Sequence, residues 1–238
     1  GASPQPPPAR TVPLRAMWWA VLGFVVGEVL GGVLALAVVL ASGAKVTSAG
    51  ATLAGEAGLW AGLLGAVVFV SRHEGSGSLR RDFGFAFRPI DLLYGLGAAV
   101  AGLIVADLVE LAFSGTRFAG SNTQILSGQR GNGLGYAVVT IIVAAGAPVV
   151  EELFFRGLIR TALAARLGPQ GAIWGQAVLF GLAHTGGAHG LGNVSVVVAI
   201  GLLGVVLGYT AHFSRRLAGG MVAHSLFNLT AALTILLH

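Results

Sequence analysis

Residues 134–163 read LGYAVVTIIVAAGAPVVEELFFRGLIRTAL. The run is longer than the about 20 apolar residues that a helix needs to cross a bilayer. It nevertheless contains two adjacent acids and an arginine, Glu151, Glu152 and Arg156. Pro148 lies within it, and because proline removes a backbone donor we expect the helix to be bent or broken there. The stretch predicts a membrane-spanning helix that holds charged groups in an apolar environment.

The whole chain has the composition of a membrane protein. It has 238 residues, of which 55% are hydrophobic and 10% are charged, and its mean hydropathy is +0.84. Soluble domains carry about 25% charged residues, so the polar side chains here are too few to cover a water-soluble body of this size. The absence of cysteine excludes disulfide frameworks, cysteine-ligated zinc and thiol catalysis.

Apolar runs that are candidates for membrane spans recur along the chain, and we count seven, of which the fifth is short. They cover residues 17–41, 51–70, 89–113, 134–163, 171–184, 194–213 and 217–237. Lipid cannot satisfy exposed backbone groups, so each run is expected to be a helix. The predicted fold is an all-α polytopic membrane bundle of about seven transmembrane helices. It forms a single transmembrane domain over residues 16–238, after a disordered proline-rich lead-in at residues 1–15.

The distribution of Lys and Arg predicts the orientation of this bundle. With the N-terminus inside, the outer segments hold Lys45, Arg117 and Arg130. The inner segments hold eleven arginines: Arg10, Arg15, Arg72, Arg80, Arg81, Arg88, Arg156, Arg160, Arg166, Arg215 and Arg216. The net charge of +5 therefore indicates membrane topology, with no nucleic-acid partner. Abundant Arg, Ala and Gly are typical of a high-GC bacterium, so we expect a multi-pass protein of the bacterial inner membrane.

Glycines spaced four residues apart predict close helix packing. They occur as Gly23, Gly27 and Gly31, and again as the pairs 58/62 and 204/208. Small residues at this spacing let helix backbones approach each other. We expect them to pack helices within one molecule in preference to forming a dimer interface, and the sequence leaves the oligomeric state open.

Four lone acids lie in the first three predicted spans: Glu28, Glu56, Asp107 and Glu110. A charged side chain at mid-bilayer costs at least about 2.5–3.5 kcal/mol. A proton or cation path, and with it a transporter, is one interpretation. We favour the simpler one, that these acids are protonated or hydrogen-bonded to neighbouring helices, because the chain lacks the inverted repeat of a transporter.

The second half of the chain carries pairs of residues four apart on three separate spans, and each pair contains at least one polar side chain. The pairs are Glu152 and Arg156, Phe180 and His184, and His224 and Asn228. Residues at i and i+4 share a helix face, so each pair points to one side. Glu151 is rotated by about 100° from its neighbour and can face a cavity. A carboxylate, two imidazoles and an amide are the parts of a water-activating site.

These three motifs resemble the signatures EExxxR, FxxxH and HxxxN of the CPBP (CAAX protease and bacteriocin-processing, or Abi) intramembrane proteases. Here they read EELFFR at 151–156, FGLAH at 180–184 and HSLFN at 224–228, in the family's order. They cover about 80 residues, roughly a third of the chain, and residues 1–130 carry no comparable signature.

The resemblance implies an endopeptidase that cuts within or beside the membrane, whose eukaryotic relatives remove the last three residues of prenylated CAAX proteins. It implies three pairs of catalytic residues: Glu151 with His184 to activate water, His224 with Asn228 to stabilise the oxyanion, and Glu152 with Arg156 to hold the site together. The expected partners are the lipid bilayer and a membrane-associated peptide or protein substrate. A non-catalytic scaffold or immunity protein of the same fold is the alternative, because fold does not dictate function.

The sequence leaves the cofactor open between a divalent metal such as zinc and none. Two histidines and a glutamate would suffice for zinc with a water as the fourth ligand, but the HExxH pattern is absent, and no metal ligand is assigned. The GxGD and GxSG patterns of other intramembrane proteases are also missing. On straight helices at ~1.5 Å per residue, the depths of Glu151, His184 and His224 differ by about 10 Å. The site therefore requires tilted or bent helices.

Overall fold

The computed structural model describes residues 12–121, 123–185 and 190–237, and these residues form helices and connecting turns without strands. The helices are α1 (Ala16–Ser42), α2 (Ala49–His73), α3 (Leu79–Phe83), α4 (Ile90–Phe113), α5 (Gln124–Ser127), α6 (Gly133–Ile141), α7 (Ala147–Glu151), α8 (Arg160–Ala183), α9 (Asn193–Ser214) and α10 (Ala218–Leu237). π-helical segments cover Ile142–Gly146 and Glu152–Ile159, and a 3₁₀ turn covers Gly190–Gly192. The predicted all-α class is confirmed.

Long apolar helices make this a multi-pass membrane protein. Within the described residues, six helical stretches are long and apolar enough to cross a bilayer. Large side chains on their outer surfaces are exposed, including Trp18, Leu40 and Leu134. Such a surface suits lipid as its surroundings. The inside location of the N-terminus stays a prediction.

The fourth and fifth predicted spans are two arms of one helical stretch, Gly133–Ala183, which is why six long stretches are found where seven spans were predicted. The chain turns at Gly168, whose φ of 66° and ψ of 176° suit a residue without Cβ, and Pro169 starts the second arm. The ring centroids of Phe155 and Phe180 are 5.0 Å apart. A straight helix of this length would separate them by about 37 Å, so the second arm folds back on the first.

The helix was expected to be bent or broken at Pro148. Around this residue the backbone hydrogen bonds change from the α-helical to the π-helical pattern. Pro148 lies in the first turn of α7, where a missing N–H is tolerated. Before it, the N–H of Ala147 donates to Ile142 O, five residues back. After it, the second π-helical segment begins at Glu152. The catalytic candidates Glu151 and Glu152 therefore lie at a junction between α-helical and π-helical turns.

The glycines of α1 pack this helix directly onto α2. A Cβ atom at Gly23 would lie 2.7 Å from Gly62 O, one at Gly27 would lie 2.7 Å from Leu59 O, and one at Gly31 would lie 2.5 Å from Gly55 O. The two backbones are thus in contact along most of their length. The expectation that these glycines pack helices within one molecule is confirmed for this pair.

Polar contacts join the helix ends on the face where the arginines cluster. Arg15 pairs with Glu74 at 2.5 Å and Arg216 pairs with Asp91 at 2.7 Å. The hydrogen bond and charge of Arg15 lower the pKa of Glu74. Ser71 Oγ donates to Asp82 at 2.6 Å. Partial burial raises the pKa of Asp82, but hydrogen bonds from serine side chains and backbone N–H groups outweigh burial and leave it below its usual value.

The first residues described differ from the expected lead-in. Residues 1–11 of that lead-in lie outside the described part of the chain. Val12 is 1% exposed and packs in the same core cluster as Ala16, Ala20 and Leu63. Val12 is therefore packed against the bundle although it precedes residue 16, and the bounds of the domain stay a prediction.

Candidate active site

Three side chains from three helical segments converge on one point. Glu151 ends α7, His184 directly follows α8, and His224 lies in α10. Oε2 of Glu151 lies 3.9 Å from Nε2 of His184 and 3.8 Å from Nε2 of His224. The reversal at Gly168 and the bent first arm remove the difference in depth that straight helices would impose. The side chains of Glu151 and His184 are 16% and 20% exposed, so water can reach part of each side chain.

A buried charge pair lies behind these three groups. Oε1 of Glu152 lies 3.0 Å from Nη1 of Arg156 and 3.4 Å from Nδ1 of His224, and the Glu152 and Arg156 side chains are fully buried. A Cβ at Gly220 would lie 2.5 Å from Oε2 of Glu152, so glycine is required where α10 passes this carboxylate. The arrangement keeps one acid neutralised by Arg156 while the other faces the point of convergence.

Phe180 supports both imidazoles and the guanidinium. Its ring centroid lies 4.6 Å from that of His184 and 5.6 Å from that of His224, at 67° and 90°. Cζ of Arg156 lies 4.0 Å from the same centroid, in cation–π geometry. The backbone carbonyl of Phe180 accepts a hydrogen bond from Nδ1 of His184 at 2.8 Å. In the neutral ring, Nε2 of His184 is then an acceptor that faces Glu151.

Asn228 is the one motif residue whose observed contact lies away from this point. Its Nδ2 donates to the backbone carbonyl of Val143 at 2.7 Å. Val143 belongs to the π-helical segment that precedes α7. The amide therefore ties α10 to the first arm, and one of its two hydrogens is committed to the backbone.

Several polar atoms of the site have no aligned hydrogen-bond partner among the described residues. They are Oε2 of Glu151, both carboxylate oxygens of Glu152, the three guanidinium nitrogens of Arg156 and Nδ1 of His224. Buried polar groups are normally paired with protein or with ordered water. The cluster is therefore suited to hold water. In the described parts of the chain, no group of three or more His, Asp or Glu side chains is spaced to hold a metal ion.

Sequence comparison adds an independent observation. Residues 133–230 match the protein family described as type II CAAX prenyl endopeptidase Rce1-like. This stretch is Rce1-like. It covers about two fifths of the chain and confirms the resemblance drawn from the three motifs. No curated protein and no solved structure matches the chain.

The Rce1-like region contains all six candidate catalytic residues and runs from α6 into α10. Helices α1 and α2 lie outside it but border the site. Trp60 of α2 packs against Gly146, where a Cβ atom would collide with the indole ring. Glu56, one turn earlier on the same face of α2, is close enough to Glu151 and Glu28 for charge repulsion.

Glu56 is therefore a neighbour of the site, and the three motifs did not predict this. The signal in the sequence was an acidic residue within an apolar span. The other lone acids differ in position. Asp107 and Glu110 are exposed on α4, and Glu28 is exposed on α1. Of the four acids, Glu56 therefore lies beside the site, Glu28 is exposed on α1 but near Glu56, and Asp107 and Glu110 are exposed on α4.

An apolar groove opens on the surface of the bundle close to the segment that carries His184. It has a volume of about 520 Å³ and lies between α1 and the two arms of Gly133–Ala183. Its lining is apolar apart from Glu28 and Thr185: Met17, Ala20, Val21, Phe24, Phe154, Phe155, Ile159, Leu179, Leu182 and Ala183. Two of the lining residues, Ala183 and Thr185, flank His184 in sequence. The groove thus reaches the segment that carries His184, while the candidate catalytic side chains themselves are not part of its lining.

Proposed function

We propose that this protein is an intramembrane endopeptidase that hydrolyses a peptide bond of a membrane-associated substrate with water activated by Glu151 and His184. The observation that carries the proposal is the approach of two imidazole nitrogens to one carboxylate oxygen within 3.9 Å. The Rce1-like match supports a membrane-embedded protease of the CAAX type. Hydrolysis requires a base, a bound water and an oxyanion stabiliser, and this cluster has the groups for each.

The proposed reaction begins with a water molecule held between Glu151 and His184. Glu151 accepts a proton as the water oxygen bonds to the carbonyl carbon of the substrate, and the carbonyl oxygen becomes an oxyanion. The carbon–nitrogen bond then breaks, and the same proton passes to the leaving amine. Nδ1 of His184 remains bonded to Phe180 O throughout, so the ring keeps its orientation.

His224 is proposed to stabilise the oxyanion. Its Nδ1 faces Oε1 of Glu152 at 3.4 Å and its Nε2 faces the reacting centre, where an Nε2–H can donate to the oxyanion. Glu152 with Arg156 holds this ring in place from behind, as a pair of opposite charges. A buried pair of this kind is lost as a unit, because removing one partner leaves the other charge uncompensated.

The groove supports a substrate with a hydrocarbon part. Its apolar lining, which includes the sequence neighbours of His184, fits a substrate that enters from the bilayer, including a prenylated CAAX-type protein. The proposed location is the bacterial inner membrane, consistent with the apolar spans. No observation favours the non-catalytic scaffold or the transporter over this function.

The test uses the purified protein in lipid vesicles with two peptides of one CAAX-type sequence, one prenylated and one not. The wild-type protein is expected to cleave the prenylated peptide, and Glu151→Gln to lower kcat about 100- to 10,000-fold. The same loss is expected for His184→Ala. Glu110→Gln, a change at an exposed acid of α4, serves as the matched control and retains activity. Full activity of Glu151→Gln would refute the proposal, and cleavage of both peptides alike would refute the prenyl requirement alone.

A further inference from the structure

The carbonyl group of Val143 loses its backbone partner because of Pro148. In an α-helix it would accept from Ala147, but that N–H donates to Ile142 O instead. In the π-helical register it would accept from residue 148, and proline has no N–H. Neither of its two usual backbone donors is therefore available to Val143 O.

The side chain of Asn228 takes the place of the missing donor. Its Nδ2 donates to Val143 O at 2.7 Å, across 85 positions of sequence. An unpaired carbonyl is costly in surroundings where water is scarce. Val143 is partly buried against Val139 and Ala232, so the hydrogen bond lies beside an apolar cluster. The contact explains why an amide, which has N–H groups to donate, stands at this position of α10.

This bond connects the two segments that carry catalytic groups. Asn228 lies one turn beyond His224 on the same face of α10. Val143 lies in the π-helical segment that leads into α7, which ends at Glu151. A shift of α10 along the first arm would therefore change the 3.8 Å separation of His224 Nε2 and Glu151 Oε2.

We propose that Asn228 is a positioning residue that replaces the backbone donor lost at Pro148 and so sets His224 against Glu151. The predicted effect of Asn228 on kcat rests on the proposed function, whereas its predicted effect on the arrangement of α10 and α7 does not. It differs from the role of direct oxyanion donor that the family resemblance implies. The distinguishing feature is that the need for Asn228 depends on the identity of residue 148.

A double-mutant cycle tests this dependence. Asn228→Ala in the wild-type background is expected to lower kcat about tenfold to a hundredfold, because small misplacements of catalytic groups have effects of this size. KM is expected to stay unchanged. Pro148→Ala restores an N–H at residue 148, and in that background Asn228→Ala is expected to lower kcat no more than about threefold, since coupled sites are non-additive. Equal losses in both backgrounds would overturn the proposal, because an amide that acts on the substrate does not depend on Pro148.

Amide hydrogen exchange supplies a readout that does not depend on activity or on Pro148→Ala folding. Asn228→Ala is expected to speed exchange at least about tenfold across residues 147–152, because opening of local structure controls exchange. Thr230→Ala is the matched control, since its hydroxyl donates to Leu226 O within α10 and to no other helix. Unchanged exchange in Asn228→Ala would overturn the positioning role. Loss of exchange protection in a protein that cleaves no peptide would instead overturn the proposed function and leave the positioning role standing.

Discussion

Nδ1 of His224 lies 3.4 Å from Oε1 of Glu152, the same oxygen that Nη1 of Arg156 approaches to 3.0 Å. Arg156, Glu152 and His224 thus form a row behind Glu151. Because the imidazole faces a carboxylate on its Nδ1 side, its Nε2 side is turned towards Glu151 at 3.8 Å. The fully buried pair of Glu152 and Arg156 therefore lies against the side of His224 that faces away from Glu151.

Removing the charge of Glu152 tests this orientation. Glu152→Gln keeps the shape of the side chain but weakens its attraction for both His224 and Arg156. We expect kcat to fall about 10- to 100-fold, the usual cost of losing a carboxylate that orients a histidine. Steady-state kinetics in lipid vesicles provide the measurement, with Asp107→Asn on the exposed face of α4 as the control. An unchanged kcat would show that His224 is oriented by other contacts.

The buried pair of Glu152 and Arg156 also predicts that removing one charge destabilises the protein more than removing both charges. Arg156→Met leaves the Glu152 carboxylate buried without a cation, which is expected to destabilise the protein by about 3–5 kcal/mol. The double variant Glu152→Gln with Arg156→Met removes both charges and is expected to recover most of this loss. Thermal unfolding in detergent measures both variants. A double variant no more stable than Arg156→Met would mean that cation–π packing on Phe180 dominates.

Adjacent glycines on α1 allow a paired test of helix packing. A Cβ at Gly31 would lie 2.5 Å from Gly55 O, whereas one at Gly32 would meet nothing within 4 Å among the described residues. Gly31→Leu is expected to destabilise the protein by at least about 1–3 kcal/mol, the cost of overpacking a close contact. Gly32→Leu is expected to have no measurable effect. Similar unfolding temperatures for the two variants would contradict the observed packing of α1 on α2.

The lowered pKa of Asp82 predicts how stability changes in acid. Because the folded-state pKa lies below the unfolded value of about 3.9, the ionised carboxylate stabilises the fold above that pH. The contribution is lost as pH falls through the lower, folded-state pKa. Asp82→Asn is expected to reduce the unfolding temperature at neutral pH. Below about pH 4, the unfolding temperature of this variant is expected to fall less steeply with decreasing pH than that of the wild type. Glu110→Asn is the control, and parallel pH curves for wild type and Asp82→Asn would contradict the prediction.

Features that depend on one helix could be predicted from the sequence, whereas features that depend on how the chain turns could not. The spans were predictable because lipid permits few backbone arrangements and a run of about 20 apolar residues is an unmistakable pattern. The spacing of four residues also placed Glu152 beside Arg156 and Phe180 beneath His184, since these are contacts within one helix. The merging of two spans was not predictable, because the turn at Gly168 requires only one residue of unusual φ.

Long-range contacts explain the remaining differences. Glu56 has no spacing relationship to Glu151, and only the packing of Trp60 on Gly146 turns this face of α2 towards the site. The partner of Asn228 was equally hidden, because it depends on a π-helical register that propensity does not encode.

The amino-acid sequence alone therefore determined that the protein is a bundle of membrane-spanning helices and which acids, imidazoles and amide are the candidates for its chemistry. Those properties follow from local periodicity and from the exclusion of water by lipid. Only the tertiary structure decided that Glu151, His184 and His224 share one point while Asn228 binds a backbone carbonyl. Distances between helices depend on how bends, glycine contacts and side-chain packing combine, and no single segment of the chain contains that information.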